Sequence, residues 1–218
     1  MKKLLPLLPL ALAVFNNAAI AANSVDLRVT GTITPAACNI SLAGGGEFNL
    51  GAINASDLAA TTTSTLPAVG GQTMSITCSG ATQVGFKLID NRASSVPSGL
   101  GVLSGLALGL GTDSANHPVG YYFLSLLTPT ATVNGSSAQF KRSNDAGTTW
   151  NATSGAMSLD PSVYAFDLSS ADSFSQPVPI TSASTGLEVA AVIQPKDTLD
   201  TSSEITLDGS ATIELVYL

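Results

Sequence analysis

Ile205-Thr206-Leu207-Asp208-Gly209-Ser210-Ala211-Thr212-Ile213-Glu214-Leu215-Val216-Tyr217 is the stretch on which the fold turns. From Ile205 onward every second residue is apolar or small, and the residues between are mostly polar or charged. Successive side chains of a strand point to opposite faces, so this period of two predicts a long β-strand with one buried face. The same period recurs near the other end of the sequence. There Val25, Leu27, Val29, Gly31 and Ile33 alternate with Asp26, Arg28, Thr30 and Thr32. Chain ends fray unless something holds them. Two patterned ends therefore need partners, either each other or a second molecule, and the alternation leaves both open.

Between them lie short β-type runs broken by Gly, Ser, Thr, Asn and Asp. Strands are expected at 38–42, 72–78, 83–89, 119–127, 138–142, 164–168 and 187–194. No helical stripe longer than two turns is evident. Many short strands with turns between them predict an all-β sandwich. A surplus of sequence around 92–160 reads as a mid-chain insertion.

The sequence starts with Met1-Lys2-Lys3, an apolar run from Leu4 to Phe15, and the small-x-small pattern Ala19-Ile20-Ala21. This is the pattern of a secretory signal peptide spanning 1–21. The apolar run is too short for a membrane span, which needs about 20 apolar residues. Removal leaves about 197 residues, enough for one all-β domain. The net charge moves from −7 to −9 when Lys2 and Lys3 go. That balance, with arginine only at positions 28, 92 and 142, argues against nucleic acid as a partner. Export also places Cys38 and Cys78 in an oxidising compartment, where a disulfide is expected. Closing a loop of roughly 40 residues contributes about 4 kcal/mol in the chain-entropy account.

The run Val29-Thr30-Gly31-Thr32-Ile33 leading to Ala36-Ala37-Cys38 resembles the donor segment and first cysteine of chaperone–usher fimbrial (pilus) subunits. Ser75-Ile76-Thr77-Cys78 and the penultimate Tyr217 fit the same resemblance. The chain is also similar to an uncharacterised group of exported proteins associated with fimbrial operons. The resemblance implies an immunoglobulin-like, pilin-type sandwich at 35–218 that lacks its final strand, preceded by a donor-strand extension at 22–34. Val25, Leu27, Val29 and Ile33 would fill pockets on a neighbouring subunit, and Gly31 would pass a narrow point. Ala211, Ile213, Leu215 and Tyr217 would form the strand that a periplasmic chaperone binds. The implied partners are that chaperone, an outer-membrane usher and other fimbrial subunits, and the implied destination is the fimbrium at the cell surface. The alternative is a self-complete periplasmic or surface binding module, with a host or surface glycan as one ligand class.

Ser143-Asn144-Asp145-Ala146-Gly147-Thr148-Thr149-Trp150 matches the Asp-box pattern at Ser143, Asp145, Gly147, Thr149 and Trp150. Its chemistry is that of a hairpin turn: a carboxylate for nearby amides, a glycine for positive φ and an indole beneath. No catalytic role is expected. His117 is the single histidine and precedes Pro118, and no Gly-x-Ser-x-Gly elbow is present. The glycine-rich run 99–111 lacks the Gly-Lys-Ser/Thr ending of a phosphate cradle. Asp197, Asp200, Glu204 and Asp208 miss the EF-hand spacing and read as a solvated loop before the last strand. Neither a metal nor any other cofactor is expected.

Overall fold

The structure, a computed structural model, describes residues 26–32, 36–159, 161–168 and 176–218. It divides into two compact units, Met1–Thr34 and Pro35–Leu218. In the first, residues 26–32 carry no regular secondary structure, and Leu27 and Val29 are exposed. The signal segment, Val25 and Ile33 lie outside the described residues.

The second unit is built from β1 (Cys38–Leu42), β2 (Ser64–Thr65), β3 (Val69–Thr82), β4 (Val84–Asp90), β5 (Leu108–Gly109) and β6 (Gly120–Val133). These are followed by β7 (Ser136–Ser137), β8 (Gln139–Ser143), β9 (Asn151–Thr153), β10 (Val163–Asp167), β11 (Ile180–Ile193) and β12 (Ala211–Tyr217). One sheet runs β1-β3-β11-β6-β5, and the other runs β12-β4-β10-β8-β9. All named pairings are antiparallel. The sheets face each other across one apolar core, as expected of a sandwich. Alternation decides what each strand gives to it. Met74, Ile76 and Cys78 of β3 point inward, as do Phe86 and Leu88 of β4 and Leu187, Val189 and Ala191 of β11. Phe86 lies against Tyr164 and Phe166, and Phe166 against Phe140, so aromatic side chains dominate the centre of the second sheet.

β10 is buried along its whole length because both its faces are covered. Tyr164 and Phe166 enter the main core, while Val163 and Ala165 pack with Trp150 and Val216 on the opposite face. On that face the Lys141 ammonium also pairs with the Asp167 carboxylate at 2.5 Å, with almost no exposure of either side chain.

The stretch 92–160, read from sequence as an insertion, is woven into both sheets. It supplies β6, which pairs with β11 from Tyr121 to Leu127, and it supplies β8 and β9. Cys38 and Cys78 are opposite each other in the β1–β3 ladder, with Cα atoms 4.0 Å apart, and are joined as a disulfide.

One expected strand is shorter than its pattern. The alternation from Ile205 becomes a strand only at Ala211, where β12 finds β4 and pairs with it from Ala211–Asp90 to Tyr217–Val84. Residues 204–208 keep the alternating burial, with Ile205 and Leu207 half-buried and Thr206 and Asp208 exposed, but they form no strand, and backbone bonding resumes only at Asp208, to Leu110, and Ser210, to Asn91. Among the described residues, no helix is long and apolar enough to cross a membrane.

Candidate functional site: an apolar groove between two sheet edges

β1 ends one sheet and β12 ends the other. The two edges meet at one point, where the Tyr217 hydroxyl accepts a hydrogen bond of 2.9 Å from the Cys38 N–H. Away from that point lies an apolar groove of about 890 Å³. Its floor is core: Leu124 of β6 and Leu187 and Val189 of β11, with Tyr122 beside them. A smaller depression lies between β1 and β12, lined by Ile40, Leu42 and Ile213.

Two segments wall the groove, and neither belongs to a sheet. The first is 47–53, where Phe48 and Leu50 are half-buried while Glu47, Asn49 and Gly51 face solvent. The second is 201–208, with Ile205 and Leu207 turned toward the same floor. Among the described residues, the backbone N–H groups of Phe48, Leu50 and 203–207 have no hydrogen-bond partner in the protein. Alternating burial without backbone pairing is the condition of a strand that lacks a neighbour.

The second wall is tethered at both ends. At one end the buried Asp113 carboxylate accepts from the backbone N–H groups of Ala115 (2.9 Å), His117 (2.8 Å) and Asp200 (2.7 Å). It also accepts from Nδ1–H of His117 at 3.0 Å. Burial alone would push this carboxyl up. The hydrogen bonds led by those from Asp200 and His117 outweigh it and hold the pKa at about 2. Asp200 in turn accepts from Ser114 Oγ at 2.8 Å and from Ser202. At the other end the Asp208 N–H donates to the Leu110 carbonyl at 2.9 Å, and the Asp208 carboxylate pairs with Arg92 at 2.7 Å. At the floor, burial first and the Asp90 charge second push the Tyr122 hydroxyl well above its ordinary value, so it stays neutral.

The sequence-derived residues fall in different places. Ala211 and Ile213 line the groove. Leu215 packs on the core, and Tyr217 bonds the Cys38 N–H where the two edges meet, outside the groove lining. The Asp-box residues lie apart from the groove, in the β8–β9 hairpin. Asp145 accepts from Ser143 Oγ and from Thr149 through both its N–H and hydroxyl, and these bonds hold its pKa at about 2. Gly147 takes φ +91°, and the buried Trp150 donates Nε1–H to the Gly147 carbonyl. That is a turn-building set, and none of its residues lines the groove. Sequence reading passed over the wall at 47–53, although Gly46, Phe48 and Leu50 alternate with Glu47 and Asn49. It also passed over Asp113, although Asp-Ser-Ala-Asn-His is a side-chain-capped turn in outline.

A protein-family profile described as "Protein of unknown function (DUF1120)" matches residues 27–106, well under half of the chain. Among curated proteins, none matches. The matched stretch includes Leu27, Val29 and Gly31, both cysteines and the groove wall at 47–53, and it stops short of β6, β11 and β12.

Proposed function

We propose that this chain is an exported structural subunit of a bacterial surface fibre, assembled by donation of a β-strand and not a catalyst. The observation that carries the reading is the groove with two strand-like walls in which, among the described residues, the N–H groups of Phe48, Leu50 and 203–207 have no partner. In an immunoglobulin-type sandwich a final strand lies beside the penultimate one at the edge of its sheet. Among the described residues β12 ends its sheet with β4 as its strand neighbour, which supports reading it as the penultimate strand. A strand entering the groove would satisfy the walls' backbone and cover Phe48, Leu50, Ile205, Leu207 and Ile213. Such β-strand addition takes affinity from main-chain hydrogen bonds and register from side-chain pockets.

The donor best matched to an apolar floor and a wet rim is a segment with one apolar face, which residues 25–33 supply through Val25, Leu27, Val29 and Ile33. The donor would come from a neighbouring subunit in the fibre. A periplasmic chaperone would fill the groove before that, and an outer-membrane usher would receive the complex. An uncovered groove of this kind invites edge-to-edge aggregation, which gives such a chaperone its purpose.

The experiment uses a chain lacking residues 22–34 and a synthetic peptide of residues 23–34. A slowly dissociating complex with a large rise in Tm is expected. A truncated chain that is already stable and ignores the peptide would overturn the reading in favour of a self-complete binding module.

A further inference from the structure

The wall at 201–208 poses a physical problem. It carries two half-buried apolar side chains and a run of unpaired amides, and neither fixes a backbone in place. Holding each residue in one conformation costs about 1–2 kcal/mol. Without other support the segment would collapse into the groove or leave it.

Two polar anchors hold it, one at each end. The Asp113 side chain is fully buried, and it does not line the groove. Its acceptor capacity is spent on its own turn and on the Asp200 N–H, where the wall begins. Arg92 grips the other end twice, through its contact with the Asp208 carboxylate and through Nε–H donated to the Asp208 carbonyl at 3.2 Å. Arg92 is itself set by β4, because its N–H donates to Asp90 Oδ1 at 2.7 Å and Asp90 Oδ2 accepts from the Gly109 N–H at 2.9 Å. Both anchors therefore refer the wall to the 90–120 region of the sandwich.

We infer that Asp113 and Arg92 are positioning residues for the groove, holding the 201–208 wall open and extended so that an incoming strand meets a preformed edge. The inference rests on the groove being a strand acceptor. Preorganisation removes an ordering cost from binding, so losing an anchor shows chiefly as faster release of the bound strand. The two anchors act at opposite ends of the wall, and each loss leaves the core side chains untouched.

The test uses the full mature chain and a fluorescently labelled peptide of residues 23–34. Wild type, Asp113→Asn, Arg92→Ala and Arg92→Lys are compared by peptide dissociation rate and by Tm without peptide. Asp113→Asn and Arg92→Ala are each expected to release peptide about ten-fold faster. Arg92→Lys should fall between, because it keeps the charge and loses the two-pronged grip. Arg92 is half-exposed, so its variants fold even if Asp113→Asn does not. Tm losses with unchanged release rates would reduce both residues to structural supports and overturn the inference while leaving the strand-acceptor reading intact. A wild type that sizes as a monomer and still fails to capture peptide would overturn both.

Discussion

Lys141 shows what a single residue can cost in this molecule. Its ammonium and the Asp167 carboxylate are both buried on the face of the second sheet that carries Trp150, Val163 and Ala165. Register explains the meeting. Lys141 stands opposite Ala165 in the β8–β10 ladder, and Asp167 is the next residue on that face, within diagonal reach of a long side chain. A buried pair contributes little net stability over an apolar one, but breaking it leaves a charge where water cannot reach. Lys141→Met should therefore lower stability by about 3–5 kcal/mol in urea unfolding. Adding Asp167→Leu should recover part of that loss. A single variant as stable as wild type would mean that Asp167 finds other compensation. The Asp-box is the opposite case, a residue cluster whose role was legible from type and spacing alone. A short carboxylate, a glycine and an indole at those offsets make one kind of turn, and that turn needs no long-range partner.

For elements, the deciding fact is whether a patterned stretch has a neighbour. β12 and the segment 204–210 share one alternation, yet only the part beside β4 is a strand. The strand centres at β1, β3, β4, β6, β8, β10 and β11 were legible because hydrophobic period and turn residues are local. Strand lengths were less so: β3, β6 and β11 each run to 14 residues, longer than the expected stretches, because pairing extends them. The groove wall at 47–53 was missed for the converse reason. Its pattern is short, and nothing in the sequence says which floor it faces. Hydrogen exchange tests the unpaired state directly. Amides of 48–50 and 203–207 should exchange fast in the peptide-free chain and slow by at least about ten-fold when peptide 23–34 is bound, because exchange tracks local opening. Protection in the free chain equal to that of β6 and β11 would mean that the walls are already paired. The disulfide ties β1, the strand that precedes the first wall, to β3, so Cys38→Ser with Cys78→Ser should cost about 4 kcal/mol and lower periplasmic yield. A free-thiol signal from the native mature chain would remove the basis for that expectation.

At the scale of the whole molecule, the acid limb of stability reports on whether the groove's anchor acts in solution as its geometry implies. Asp113 is held at about 2 when folded, below the roughly 3.9 of an unfolded aspartate. The folded state therefore binds the proton more weakly than the unfolded state. A carboxyl depressed in this way adds stability that is fully present above the unfolded value and is lost as pH falls through the folded one. Asp145 is depressed too, but it lies in the β8–β9 turn and is common to wild type and any Asp113 variant. The difference in Tm between wild type and Asp113→Asn therefore isolates the anchor. It should be constant above about pH 5, shrink between about pH 4 and pH 2, and all but vanish below. Around Asp113 stand His117, which donates to it, and Asp200, whose N–H also donates to it and whose own ionisation the Asp113 charge opposes. A His117→Gln control removes the imidazole contact with the carboxylate and leaves the backbone hydrogen bond from residue 117 in place. A Tm gap that persists unchanged at pH 2 would mean that Asp113 contributes through packing and not through its charge. The wall's first end would then rest on packing and on the Ser114–Asp200 hydrogen bond, and Arg92 with the Leu110 carbonyl would supply the charged hold at the other.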